Sequence, residues 1–429
     1  MSQKSHEFKA AMIDVREKIA AAKRHGASRG FIGYHGCCFV CNSFIDILED
    51  AGKVAQRGDY TFAYSATALI LINLAKLAST ADDSAGGITD ARYHVEKILE
   101  KICSHVKHGS NEAEYIYLQS IKDCQNKAFN DWDEFAYDLL LKTARLATND
   151  NKQKMYDAAN NLYKKASSSA YSSWADEFDA RVRLEIINAT ADEADVNEFI
   201  KTNLKYDAIR RIAVNNAISA QKYECAEKLC LEKLCDDNTL RREYSRPSEW
   251  RYLLFEIYDK SDDAEKKIQT AKELLLRFDT KYFDVLKELI TKKGTWESEY
   301  TILLESLKQR LPPHIYMEIL SKENEINRLL EEVGKHPLSV FDYGDKLAAH
   351  FASQTYTICL SVIRDQANDA NSRNDYKKVC SLIKKLFKFG GITETENIII
   401  ELKTKFPRRP AMLEELDALR MKLFKVKRI

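Results

Sequence analysis

The chain has 429 residues, of which 45% are hydrophobic and 31% are charged, a composition typical of a globular protein with a large buried core. Its 66 Lys and Arg residues are balanced by 65 Asp and Glu residues, which leaves a net charge of +1. This balance excludes a general electrostatic attraction to nucleic acid or to an acidic membrane, so binding of either kind would require a local basic patch.

Proline and glycine, the two residues that most disfavour helices, are scarce in this chain. There are 6 Pro and 14 Gly, and the first proline is Pro247. The helix-forming residues Ala, Leu, Lys and Glu are abundant, and no long alternation of β-branched and polar residues predicts a strand. We therefore predict an all-α protein.

Residues 1–173 are predicted to form an N-terminal helical bundle or array, because apolar residues recur there every three or four positions. The first predicted helix ends at Gly26. The second begins at Tyr34 and is stopped by Gly52, and the third runs from about Asp59 to Ala78. The third contains the most apolar run of the chain. That run is too short and too interrupted for a membrane span, so we predict a buried helix.

Two polar stretches interrupt this region. Asp82–Asp90 is predicted to be a turn that joins two helices and caps the second. A divalent-cation site is the alternative, although the stretch lacks the alternating acidic ligands and closing Glu of a calcium loop. Ser167–Ser173 is interpreted as a helix end, with a loosened joint between domains as the alternative.

Residues 174–335 are predicted to form central helical-hairpin repeats, and residues 336–429 are predicted to form C-terminal helical repeats with a basic tail. Short helices joined by tight turns pack as antiparallel hairpins. Such helices cannot bury their apolar stripes alone, so the hairpins are predicted to stack. Because no fixed repeat period is visible, we predict a degenerate, TPR-like α-solenoid array.

Turn residues predict where several of these helices begin and end. A break is predicted at Gly294-Thr295, and helix ends are predicted at Gly334 and at Gly390-Gly391. Thr393 is predicted to cap the next helix, and Pro410 is predicted to lie in the first turn of the last helix.

Packing and turn residues also occur in a characteristic order along the C-terminal region. They are His336-Pro337, Tyr343, Phe351, the helix Tyr356–Ala370, Asn374–Tyr376, Gly390-Gly391 and Phe406–Leu416, with Gly294–Trp296 and Asp82–Gly86 upstream. In these features the chain resembles the helical C-terminal region of SWIM zinc-finger proteins of bacteria. The resemblance implies a helical scaffold that works beside helicase-like or AAA-type ATPases. The zinc site of that family needs a Cys-x-Cys pair, which this chain lacks, so the zinc module and its DNA binding are not implied.

Three cysteines, Cys37, Cys38 and Cys41, form the densest thiol cluster. A structural zinc site needs four ligands, usually in two separated pairs, and no second pair is evident. We predict that these thiols pack in the core, with a metal or redox role as the alternative. Ten cysteines without a visible secretory signal indicate reduced thiols and a cytoplasmic location.

The C-terminal segment contains the one marked concentration of basic residues. Between residues 401 and 429 the basic residues are Lys403, Lys405, Arg408, Arg409, Arg420, Lys422, Lys425, Lys427 and Arg428. One interpretation is a solvated helix end and tail. The other is a contact with phosphate groups or with an acidic partner.

No nucleotide-binding glycine loop, catalytic triad order or paired-His metal motif occurs in the sequence. We therefore predict a non-enzymatic protein without a cofactor or a catalytic or metal site, which acts as a scaffold for protein–protein interaction. The alternative is an accessory protein that binds nucleic acid through the basic C-terminus. The sequence identifies neither the partner nor the oligomeric state.

Overall fold

A computed structural model describes residues 3–28, 30–167, 174–236 and 248–424, without the side chains of residues 3–5 and 236. These residues form 21 α-helices and no β-strand, which confirms the predicted all-α fold. The chain divides into two compact units, Met1–Leu229 and Cys230–Ile429. The predicted boundaries after residues 173 and 335 therefore lie inside the first and second units respectively.

The first unit contains ten helices and the beginning of an eleventh, within the described residues. They are α1 (Gln3–Gly26), α2 (Tyr34–Gln56), α3 (Tyr60–Ala78), α4 (Gly87–His105), α5 (Asn111–Asp123), α6 (Asp133–Thr143), α7 (Lys152–Ala166), α8 (Ala175–Thr190), α9 (Glu193–Thr202), α10 (Asp207–Ser219) and α11 (Tyr223–Asp236). The unit boundary falls within α11.

The second unit continues with ten helices, and each contacts the next along the chain. They are α12 (Glu249–Lys260), α13 (Ala264–Leu275), α14 (Tyr282–Lys293), α15 (Trp296–Arg310), α16 (Pro313–Lys322), α17 (Ile326–Lys335), α18 (Val340–Asp369), α19 (Arg373–Lys388), α20 (Ile392–Lys405) and α21 (Pro410–Phe424). Helix α18 is interrupted at Phe351, whose φ of −135° and ψ of 53° are not helical.

Helix α3 lies at the centre of the first unit and contacts α1, α2, α4, α5 and α6. It is long and apolar enough to cross a membrane, but 61% of its apolar 18-residue stretch is buried inside the fold. Its N-terminus is capped by the Asp59 carboxylate, which accepts the backbone N–H of Phe62 at 3.1 Å. The predicted buried helix near Asp59 to Ala78 is therefore confirmed.

Several predicted helix ends are confirmed. Helix α1 ends at Gly26, and α21 begins at Pro410. Gly294 and Gly390 follow α14 and α19 with φ of +78° and +96°, which glycine adopts without the penalty that a Cβ would impose.

Two other predictions are wrong, and one predicted end is a single residue early. Gly52 lies inside α2, whereas Gly334 directly precedes Lys335, the last residue of α17. At Gly52 the reason is close packing, because an added Cβ would lie 2.8 Å from Cδ1 of Ile98 on α4. Thr393 does not cap α20, which begins at Ile392 with Gly391 in the capping position.

A pair of glycines lets α1 and α2 approach at backbone distance. A Cβ added at Gly36 would lie 2.1 Å from the carbonyl oxygen of Gly26. A Cβ added at Gly26 would lie 2.6 Å from Cγ2 of the buried Val40. Any larger residue at either position would therefore force the two helices apart.

A buried ion pair joins α4 to α6. The Arg92 guanidinium donates from Nε to Oδ2 of Asp138 at 2.5 Å and from Nη2 to Oδ1 at 3.0 Å. It also lies 4.8 Å from the centre of the Phe135 ring. Burial raises the pKa of Asp138 to about 6, and the Arg92 charge acts in the opposite direction.

We predict that Gly36→Ala destabilises the protein, because the new methyl group would overlap the Gly26 carbonyl. The expected loss is about 1–3 kcal/mol of unfolding free energy, as for other overpacked sites. Gly33→Ala is the matched control, since an added Cβ there meets no atom within 4 Å. Urea denaturation would measure both variants, and equal stabilities for the two would contradict the predicted steric conflict.

We also predict that Arg92→Met destabilises the protein by about 3 kcal/mol near pH 8, because it leaves a buried carboxylate without its counter-charge. The raised pKa of Asp138 means that the folded state binds the proton more tightly than the unfolded state. Protonation in the folded state therefore relieves the defect, and the loss should shrink by more than half near pH 5. Lys18→Met removes only the exposed ion pair between Lys18 and Asp14 and serves as the control. A loss for Arg92→Met that is independent of pH would contradict this explanation.

Candidate partner-binding groove

A concave surface of the first unit lies between α1, α3 and α5, and we call it the α1–α3–α5 groove. Its main section has a volume of about 970 Å³ and is bounded at one end by the turn between α2 and α3. A second section of about 440 Å³ adjoins it. Phe8 of α1 and Tyr115 of α5 line both sections, so the two sections form one continuous groove.

Helix α3 forms the floor of the groove. Phe62 and Leu69 are half-buried, while Ile72 is buried, and their spacing places them along one stripe of the helix. Phe8 packs edge-to-face on Phe62, with ring centres 6.3 Å apart and planes at 90°. The floor is therefore an apolar stripe of α3 that remains accessible because α1 covers it incompletely.

Apolar side chains also project from both walls. Ile13 on α1 is 52% exposed and Tyr115 on α5 is 40% exposed, and both line the second section of the groove. Met12 beside Ile13 is buried against the core. Exposed apolar groups that line one concavity are a common feature of surfaces that bind another macromolecule.

Charged groups border the same section, with basic residues on the α1 wall and an acidic residue on the α5 wall. Lys9 and Arg16 are exposed on α1, and Asp123 is half-buried at the end of α5. The Asp123 carboxylate accepts hydrogen bonds from the Tyr64 hydroxyl at 3.1 Å and from the Gln119 amide at 2.9 Å. Burial raises the pKa of Asp123, and these two donors oppose that shift.

The predicted thiol cluster lies elsewhere, where α2 meets the Asp82–Asp90 turn. The Cys37 thiol lies 3.8 Å from Oδ1 of Asp83 and donates to it. Burial raises the pKa of Cys37 to about 11 and that of Cys41 further, so both thiols are protonated near neutral pH. Among the described residues, no group of three or more His, Cys, Asp or Glu side chains could hold a metal ion.

Two carboxylates of the Asp82–Asp90 turn accept backbone hydrogen bonds from other residues of the turn. Asp82 accepts the backbone N–H of Ser84 at 3.1 Å, and Asp83 accepts that of Ile88 at 3.0 Å. Ile88 lies in the first turn of α4. The turn therefore joins α3 to α4 and caps α4, as the sequence predicts.

The predicted basic residues of the C-terminal segment are partly occupied by contacts within the second unit. Lys403 pairs with Asp417 at 2.5 Å, and Arg420 pairs with Glu396 at 2.7 Å. Arg409 donates to the carbonyl oxygens at the end of α18, those of Ala367 at 2.9 Å and Ala370 at 3.0 Å.

The remaining members of this set differ in position. The Nζ atom of Lys405 lies 5.5 Å from the centre of the Phe406 ring. Arg408 and Lys422 are exposed. Lys425, Lys427 and Arg428 lie outside the described residues. The structure thus places three of the nine basic residues in intramolecular contacts that neutralise or anchor them.

A scan of the chain against models of known protein families finds no match, and a search of curated proteins finds no similar sequence. The resemblance to SWIM zinc-finger proteins therefore stays a prediction from the residues that carry it.

We predict that Cys37 and Cys41 of the folded protein react with iodoacetamide at least about tenfold more slowly than Cys225, because a protonated, buried thiol is a poor nucleophile. Cys225 is exposed and serves as the internal control. Peptide mass spectrometry of a time course at neutral pH would give each rate. Equal rates at Cys37 and Cys225 would contradict the buried arrangement.

Proposed function

We propose that the protein is a non-enzymatic cytoplasmic scaffold that binds a helical segment of a partner protein in the α1–α3–α5 groove. The observation that carries this proposal is the exposure of apolar side chains on both walls of the groove, above a floor that is itself apolar. Ile13 and Tyr115 are 52% and 40% exposed there. Covering them would remove apolar surface from water, which is the main favourable contribution to protein association.

The shape of the groove supports a helix as the bound element. Its α1 wall extends from Glu7 to Arg16, a length of about 14 Å at 1.5 Å per residue. A partner helix of two to three turns would match this length. An amphipathic helix can place apolar residues at i, i+4 and i+7 into such a groove, a common mode of recognition.

The arrangement of the remaining helices is consistent with a scaffold. From α12 to α21 each helix packs on its neighbour in sequence, as in stacked hairpins. We propose that these helices form a degenerate, TPR-like α-solenoid, and stacked helical repeats commonly present extended binding surfaces. The resemblance to SWIM zinc-finger proteins adds a helicase-like or AAA-type ATPase as the proposed class of partner.

The alternative function, binding of nucleic acid through the basic C-terminus, has less support. Lys403 and Arg420 already pair with carboxylates, and Arg409 holds the end of α18. Fewer positive charges are therefore available to phosphate groups than the sequence suggests.

Photo-cross-linking from Tyr115 tests the proposed function. With p-benzoylphenylalanine in place of Tyr115, irradiation of cells that express the full chain should yield a discrete protein adduct. Ile13→Asp should reduce the adduct at least about tenfold, because removing an apolar anchor costs about 1.5 kcal/mol of binding free energy. Protease and nuclease digestion of the adduct would distinguish a protein partner from nucleic acid.

Two matched controls define the outcome. Tyr93 on α4 is 57% exposed and lies outside the groove, and Ile302 on α15 is 67% exposed in the second unit. The photoreactive residue at position 93 should give no discrete adduct, and Ile302→Asp should leave the Tyr115 adduct unchanged. An adduct that forms equally from both positions, or one that digests with nuclease, would refute the proposed function.

A further inference from the structure

We infer that the helix bound in the α1–α3–α5 groove carries a Lys or Arg on the side that faces α5 and an Asp or Glu on the side that faces α1. This inference rests on the proposed function and specifies the chemistry of the partner. The residues that carry it are Asp123 and Arg16, which line the same section of the groove from opposite walls.

Within the described ranges, the donors of hydrogen bonds to the Asp123 carboxylate are neutral groups. Its two oxygens each accept one hydrogen bond, from the Tyr64 hydroxyl and from the Gln119 amide. Across the described residues, no Lys, Arg or His forms an ion pair with it. The positive charge of Lys122, which is exposed on the same helix, also lowers the pKa of Asp123.

The Asp123 carboxylate lines the groove and has acceptor capacity left for a further donor. An ionised carboxylate has about four acceptor sites, and two donors occupy only half of them. Partial burial makes the charge costly, as the raised pKa of this carboxyl indicates. A Lys or Arg from a bound helix would supply charge-assisted hydrogen bonds, which are stronger than those of neutral donors.

Arg16 provides the opposite charge on the facing wall. It lies one helical turn beyond Ile13, is exposed, and forms no ion pair with Asp123 in the described part of the chain. Lys9 lies on the same wall, so the α1 residues that carry a charge in this section are both basic. A bound helix with an acidic residue on this side would complement it.

The two charges therefore fix the orientation of the bound helix as well as its composition. Ile13 and Tyr115 would accept apolar residues in either direction. Reversing the helix would instead bring its basic side against Arg16 and its acidic side against Asp123. Juxtaposed like charges disfavour that arrangement, so the charges add specificity to the apolar contacts.

A peptide-display selection on the full-length protein tests this inference. The probe is a library of helix-forming peptides with apolar residues at i, i+4 and i+7 and with Lys, Glu or Gln at the flanking positions. Wild-type protein should enrich Lys on one flank and Glu on the other. Asp123→Asn should abolish only the Lys preference, and Arg16→Gln should abolish only the Glu preference.

Affinities of one enriched peptide give the second measurement. Asp123→Asn should weaken its binding about tenfold, and replacing the selected Lys with Gln should cause no further loss on that variant. Asp50→Asn is the control, because Asp50 pairs with Lys53 on α2 and lines neither section of the groove. Thermal unfolding would verify that both Asn variants retain the wild-type fold.

The outcomes separate this inference from the proposed function. Enrichment of apolar anchors without a charge preference would overturn the inference and leave the groove as a binding site. A Lys preference that persists on Asp123→Asn would also overturn it. Failure to enrich any peptide, together with the absence of a Tyr115 adduct, would overturn both the inference and the proposed function.

Discussion

The central constraint on the first unit is the burial of α3, a helix that is apolar on most of its circumference. An isolated helix of this kind is insoluble in water, so neighbours must cover it on several sides. Helices α1, α2, α4, α5 and α6 all pack against it. The coverage is incomplete between α1 and α5, where α3 forms the floor of the groove. The candidate site therefore follows from the way the core is covered.

Small residues and buried charges make this coverage specific. Gly26 and Gly36 allow α1 and α2 to meet at backbone distance. The Arg92–Asp138 pair joins α4 to α6 through two hydrogen bonds. Apolar contacts alone tolerate small shifts between helices, whereas a steric contact and a bidentate ion pair do not. These contacts hold in place the helices around α3, on which the groove depends.

Some charged side chains of the protein form contacts inside the fold, and others line the groove. Lys403, Arg420 and Arg409 hold helices of the second unit to one another. Asp123 and Arg16 instead face a concave surface without forming an ion pair with each other. This difference, together with the exposed apolar residues between them, favours the groove over the basic C-terminus as the binding site. The proposed function as a scaffold follows from that comparison.

The sequence by itself determined the helical fold class, the buried character of α3 and the helix ends at Gly26 and Gly390, because these depend on local periodicity and backbone preference. It misplaced the end at Gly52, since a glycine inside a helix can serve close packing as well as termination. The groove could not be predicted, although apolar residues recur every three or four positions in the region that forms it. Its walls come from helices far apart in the chain. Only tertiary packing decided which apolar side chains stayed exposed and which charges found partners, because both depend on distances between separate helices.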